Sequence, residues 1–126
     1  MRWGLFPLGG STVRLRRQIP HAKAMDLLLT GRHIGAIEAE RIGLITRVVP
    51  TGEALVEAQR TAALIAANGP LAVQAIKRSA WEADGLTEAD ALAQEHTLGW
   101  PVHRSEDARE GPKAFAEKRT PVFRGR

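Results

Sequence analysis

Trp3-Gly4-Leu5-Phe6-Pro7-Leu8-Gly9-Gly10-Ser11-Thr12 decides how this chain is read. An apolar approach runs into a Pro/Gly turn that opens a helix. Proline fixes its own φ, and paired glycines take backbone conformations closed to other residues and let another group come near. Ser11 or Thr12 is placed to cap the free N–H groups of the helix that follows. Turns of this kind stand at the end of a strand inside a folded sheet. Almost no chain precedes this one, so the sequence is expected to be the second part of something larger.

Outward from the turn, Gly and Pro punctuate the chain. The first helix is expected over residues 11–18, closed by Ile19-Pro20, because the residue before a proline is pushed out of helical geometry. A second follows over 21–29, with Ala24, Leu27 and Leu28 inward and Gly31 past its end. Residues 36–42 form a short third helix between Gly35 and Gly43. The β-branched run Leu44-Ile45-Thr46-Arg47-Val48-Val49, stopped by Pro50, is the one convincing strand.

Beyond Gly52 the pattern is helical throughout. Leu55, Ala58, Ala62 and Ile65 share one face of a helix ending at Asn68-Gly69. Pro70 starts the next, on which Val73, Ile76, Lys77 and Ala80 share a face. Thr87 with Asp90 reads as a capping box for a helix over 88–96, which Gly99-Trp100-Pro101 should break. Ser105 caps the last helix, Glu106 and Asp107 favour its positive end, and Ala108, Gly111, Ala114 and Phe115 face inward. Residues 120–126 are expected to be extended. The fold class is mostly α with one or two short strands.

The 126 residues suffice for one domain with a core of its own. The absence of Cys excludes disulfides, thiolate metal sites and a cysteine nucleophile, and suits a reducing, cytoplasmic setting. No run reaches the roughly 18 apolar residues of a membrane span, and the first residues lack the charged-then-apolar order of a signal peptide. The net charge of +4 gathers at the ends. Arg2, Arg14, Arg16, Arg17 and Lys23 precede the first acid, Asp26, while Lys118, Arg119, Arg124 and Arg126 follow the last, Glu117. Such ends are either solvated or bind phosphate. Aromatics are sparse, Phe115 and Phe123 standing near the second cluster, and no zinc or helix-turn-helix pattern accompanies them, which argues against nucleic acid.

Two segments together resemble the enoyl-CoA hydratase/isomerase (crotonase) family. One is Gly4-Leu5-Phe6-Pro7-Leu8-Gly9-Gly10-Ser11-Thr12-Val13-Arg14-Leu15, continued by Leu28-Leu29-Thr30-Gly31-Arg32-His33-Ile34 and by residues 39–50. The other is Ser105-Glu106-Asp107-Ala108-Arg109-Glu110-Gly111, followed by Ala114-Phe115-Ala116-Glu117-Lys118-Arg119. The resemblance spans nearly the whole chain in the family's order and spacing.

It implies the C-terminal part of an α/β spiral fold. Residues 1–52 would end the spiral core and residues 53–126 would form a helical region that associates into a trimer or hexamer. The implied substrate is an acyl-CoA thioester, with coenzyme A as part of the substrate and no separate cofactor. The family's oxyanion hole and two catalytic glutamates would fall in the earlier half, one of the glutamates just before the position of Met1. Glu38, Glu40 and Glu53 lie in the wrong segments to replace them. Catalysis by these residues alone is therefore not expected.

The resemblance also implies that Pro7, Leu8 and Gly9 line an acyl pocket. Leu8 stands where the family commonly has a small residue, so it either shapes the pocket or merely fills space. Phe115 and Lys118 match positions that meet the adenine and phosphates of coenzyme A, with Arg119 a weaker candidate. From the residues alone, Phe115 reads first as core, and Lys118 equally as a solvated helix end. His21, His33, His96 and His103 lack metal-site spacing. Asp26 and Glu88 read as helix-surface residues, Trp81 and Trp100 as core or oligomer contacts. Two rivals remain beside the acyl-CoA reading: a non-catalytic helical association module and a basic nucleic-acid binder. Isolated helices of this kind are expected to oligomerise or be partly disordered, above all at residues 1–10 and in the tail.

Overall fold

The structure, a computed structural model, describes residues 3–126. Met1 and Arg2, the start of the segment expected to be disordered, lie outside the described residues. The elements in chain order are α1 (Ser11–Gln18), α2 (His21–Thr30), α3 (Ala36–Arg41), α4 (Ala54–Ala66), α5 (Pro70–Glu82), α6 (Glu88–His103) and α7 (Glu106–Ala116). The chain divides into two units, one ending at Ala54 and the other beginning at Leu55. None of these helices is long and apolar enough to cross a membrane.

In the first unit α1 packs on α2. The break between them is the one Ile19-Pro20 demands: Ile19 is extended and donates its N–H to Leu15 O at 3.1 Å. Ile19, Ala24 and Ile42 are buried together, with Leu15, Leu27, Ile34 and Leu44 partly buried around them. Neither Ser11 nor Thr12 caps α1. The N-cap is Gly10, left-handed at φ 90, with no side-chain cap bond. Ser11 Oγ instead donates back to Leu8 O at 3.4 Å.

The expected strand at 44–49 is absent, and the described residues contain no strand at all. The reason lies in the end of α3. Gly43, left-handed at φ 81, donates its N–H to Glu40 O (3.0 Å), and Leu44 donates to Ala39 O (2.8 Å). This Schellman closure satisfies the helix's last carbonyls and turns the following N–H groups back toward it. Glu40 Oε1 accepts the Val48 N–H at 3.0 Å, and Gln18 Nε2 donates to Leu44 O at 2.8 Å. β-propensity records a fit to a pleated neighbour rather than an intrinsic backbone state. Without a neighbouring strand among the described residues, this run stays irregular.

In the second unit α5 and α6 form a hairpin and α7 contacts α6. Thr87 Oγ1 accepts the Asp90 N–H at 3.2 Å and donates to Asp90 Oδ2 at 2.7 Å, so the capping residues act together as expected. The expected break at Gly99-Trp100-Pro101 does not occur, and α6 runs on to His103. Pro101 sits in the last turn, where its missing N–H removes one ladder bond. The turn still closes through Arg104 N–H to Trp100 O (3.2 Å) and Ser105 N–H to Val102 O (3.1 Å). Ser105 then caps α7, accepting the Ala108 N–H at 3.0 Å.

The tail is extended and fastened to α7. Asp107, only 7% exposed, accepts the N–H groups of Arg124 (2.7 Å) and Gly125 (2.8 Å), and its own N–H donates to Arg126 O at 3.1 Å. Phe123 lies across Gly69 and Gly111, so close that a Cβ on Gly69 would meet its ring at 3.6 Å. The stripe of α4 behaves differently. Leu55, Ala58, Ala62 and Ile65 all face solvent.

Candidate functional site

The sequence-predicted positions fall in the two units. In the first, the turn before α1 is held by glycine geometry. Leu8 donates its N–H to Phe6 O at 2.9 Å, Gly9 (φ 81) and Gly10 (φ 90) follow in left-handed conformations, and Gly10 O accepts Val13 and Arg14 N–H at 3.1 and 2.8 Å. A Cβ on Gly10 would come within 3.2 Å of Arg14 Nε, so the turn admits no larger residue there without moving that side chain. Pro7 is half-buried, whereas Leu8 (82%) and its neighbours Trp3, Leu5 and Phe6 are exposed. The turn thus presents a row of apolar side chains that nothing in its own unit covers.

The second group sits at the C-terminal end of α7. Here the expectation for Phe115 is overturned: its side chain is 87% exposed, while the adjacent Ala114 is completely buried. One residue along a helix rotates the side chain by about 100°, so Phe115 points away from the face that buries Ala114. Lys118 is exposed and left-handed at φ 53. Among the described residues its ammonium has no hydrogen-bond or ion-pair partner.

Arg119 is committed elsewhere. Its Nη atoms grip both oxygens of Glu110, and its Nε donates to Glu117 Oε2 at 2.6 Å. Val122 N–H adds a third bond to Glu110, at 2.9 Å from Oε1. The Arg119 guanidinium first, and the Val122 N–H second, hold the Glu110 carboxyl down at about 2. A depressed carboxylate contributes stability that is complete above its ordinary value of 4.5 and is lost as pH falls toward 2. Titrated by NMR, the Glu110 carboxyl carbon should show its midpoint near 2, and a midpoint near 4.5 would mean the pair does not hold in solution.

One polar hub escaped the sequence. Arg32 donates Nε to Asp26 Oδ2 (2.7 Å) and its two Nη atoms to Glu38 (3.0 and 2.7 Å). Asp26, read as a helix-surface residue, is thus one arm of a clamp joining α2 to α3. The Arg32 side chain lowers the Glu38 carboxyl from its ordinary value, the opposite of what a general acid at neutral pH needs. Glu40 is engaged with the Val48 N–H. Both glutamates have structural duties. His96, Trp100 and His103 stack edge to face along α6, and the described residues hold no cluster of three or more metal-ligating side chains.

Solved structures of enoyl-CoA hydratases, proteins of the crotonase fold, match the chain closely. The enoyl-CoA hydratase EchA1 of Mycobacterium marinum aligns over 99% of this chain and 50% of its own, with a TM-score of 0.94 and 42% identity. An enoyl-CoA hydratase of Mycobacterium tuberculosis aligns over the same shares with the same score. The enoyl-CoA hydratase EchA19 of Mycobacterium tuberculosis is 56% identical over 125 residues, 99% of this chain and 47% of the relative. Carnitinyl-CoA dehydratase of Proteus mirabilis is 40% identical over 98% of this chain and 49% of its own length. The family model for enoyl-CoA hydratase/isomerase matches residues 1–126, and the chain belongs to that family. It spans about half the length of the curated relatives it matches.

Proposed function

We propose that the protein acts on an acyl-CoA thioester, hydrating or isomerising a double bond near the carbonyl. In this proposal the turn at Pro7, Leu8 and Gly9 forms a wall of the acyl pocket, and Phe115 and Lys118 receive the adenine and a phosphate of coenzyme A. Family membership supports the substrate class. The observation that carries the proposal to particular residues is the exposure of Phe115 on α7 beside an unpartnered Lys118 just past the helix end. An aromatic face stacks on a purine, and an ammonium meets phosphate as a compact charge. No separate cofactor is needed, because the thioester itself carries the coenzyme.

Hydration requires a base for water, an acid for the α-carbon and donors for the thioester oxygen as it gains negative charge. The carboxylates nearest the first-unit turn in sequence, Asp26, Glu38 and Glu40, are spent on Arg32 and Val48. The 126 residues by themselves are therefore proposed to bind coenzyme A but not to turn over substrate. Incubated with crotonyl-CoA, the purified chain should show no hydration above the uncatalysed rate, while calorimetry detects coenzyme A binding that Lys118→Ala weakens. Turnover abolished by substituting one residue of this chain would overturn the catalytic half of the proposal. Binding unaffected at Lys118 would overturn the other half.

The exposed stripe of α4 favours a second reading, a helical association surface, through which the protein would form a homo-oligomer. A basic nucleic-acid binder has less support, since Arg119 and Arg126 are already paired with Glu110 and Glu106.

A further inference from the structure

Lys118 occupies a backbone conformation in which it is the only non-glycine among the described residues. Its N–H donates to Phe115 O at 3.1 Å and the next N–H, of Arg119, to Ala114 O at 3.0 Å. This is the same closure that ends α3, where Gly43 holds the left-handed position, and Gly31 holds the comparable position after α2. A Cβ in that conformation crowds the following carbonyl oxygen, which is why glycine normally stands there. At this one helix end the chain keeps a long cationic side chain instead.

The neighbours of Lys118 explain how the conformation is held. Glu117 and Arg119 are bonded to each other across it, and Arg119 is fixed to Glu110, nine residues back on α7, and to Thr120 O at 3.3 Å. Glu110 is further tied to the tail through Val122 N–H. The residue between these anchored neighbours has few ways to turn. Its ammonium is left unpaired while Glu110, Glu117 and Arg119 are all paired.

We propose that Arg119 is a positioning residue: by clamping Glu110 and Glu117 it holds Lys118 in its left-handed turn and so directs the Lys118 ammonium at a phosphate of coenzyme A. This rests on Lys118 being a coenzyme contact, as proposed above. In this role Arg119 need not touch the ligand, since four of its five N–H donors are engaged by Glu110, Glu117 and Thr120 O. The clamp needs a planar fork, because two of its bonds go to one carboxylate in parallel, and a lysine cannot supply both.

The test is a double-mutant cycle on coenzyme A affinity, read by calorimetry in the protein with Lys118→Ala, Arg119→Lys and both together. Lys118→Ala should weaken binding by about tenfold, the scale of one charge-assisted contact. Arg119→Lys, which keeps the charge, should weaken it by a comparable factor, and the double variant should bind no worse than Lys118→Ala alone. Multiplying losses would mean that Arg119 contacts the ligand directly, and would overturn the positioning role. Unchanged affinity in Arg119→Lys, with Lys118→Ala impaired, would overturn it too and leave the coenzyme contact standing. Unchanged affinity in Lys118→Ala would instead remove the contact on which the role depends.

Two further variants guard the outcome. If Arg119→Lys loses its helical circular dichroism, Glu110→Gln breaks the same clamp from the far side and should give the same sign of effect. Lys118→Gly relieves the crowded backbone, so it should raise the melting temperature while weakening coenzyme A binding as Lys118→Ala does. A Lys118→Gly protein that binds coenzyme A as tightly as the parent would overturn the proposal.

Discussion

Replacing Ile19 with alanine should destabilise the first unit by about 2–5 kcal/mol, the range for deleting a buried branched side chain without collapse of the cavity. The size follows from how little else is buried. Ile19 is 4% exposed, and among the described residues its cluster has only Ala24 and Ile42 as further buried members, with Leu15, Leu27, Ile34 and Leu44 partly buried around them. Ala24 has only a methyl group, which cannot swing into a void, and Pro20 fixes the backbone on the other side of Ile19. The cavity would therefore remain open. Chemical denaturation followed by hydrogen exchange at α1 and α2 amides would read the loss. Leu29→Ala serves as the control, since Leu29 is exposed and its truncation should change stability by less than about 0.5 kcal/mol. Equal effects at the two positions would mean that the α1–α2 pair is not the core of this unit.

Asp107→Ala is expected to free the tail. Its carboxylate takes two backbone N–H groups at 2.7 and 2.8 Å in a buried setting, where bonds to a charged acceptor are worth about 1.5–3 kcal/mol each. Part of that is returned as chain entropy once residues 120–126 are released, which leaves a net loss of about 2–3 kcal/mol. Asp107→Asn keeps one acceptor oxygen and should fall between the parent and Asp107→Ala. The direct observable is amide exchange at Arg124 and Gly125, slow in the parent and near the free-chain rate in Asp107→Ala. Limited proteolysis should cut first in the tail. Exchange that stays slow would show that Phe123, lying across Gly69 and Gly111, holds the tail without help.

These two sites show what a linear sequence exposes and what it conceals. The bounds of α1 were legible because Ile19-Pro20 is a local steric instruction, and the Ser105 cap because its partner lies three residues away. The strand expected at 44–49 failed for a non-local reason: a β-branched run pairs only where a second strand exists, and Gly43 turns its first N–H groups back into α3. The extension of α6 through Pro101 was missed because the cost of a proline depends on how much helix follows it. Asp107 was assigned to the dipole of its own helix, whereas its partners stand 17 and 18 residues further on. Arg32 grips residues six away on either side, a separation with no helical period to announce it. For the candidate site, the resemblance could point to Phe115 and Lys118, but apolar periodicity assigned Phe115 to the core. Only coordinates place it outside, one position past the buried Ala114.

The tail also carries a constraint on length. It is pinned at Arg119 to Glu110 and at Arg124 to Asp107, anchors that lie about one turn apart on α7. Residues 120–123 bridge a fixed gap, like the measured slack between two rivets. Side chains there are free to vary wherever they do not pack, as Phe123 does, but one residue added or removed would pull a rivet. Homologous sequences aligned through this stretch should differ in letters far more readily than in number, and a single-residue deletion there should loosen the helix end that carries Lys118.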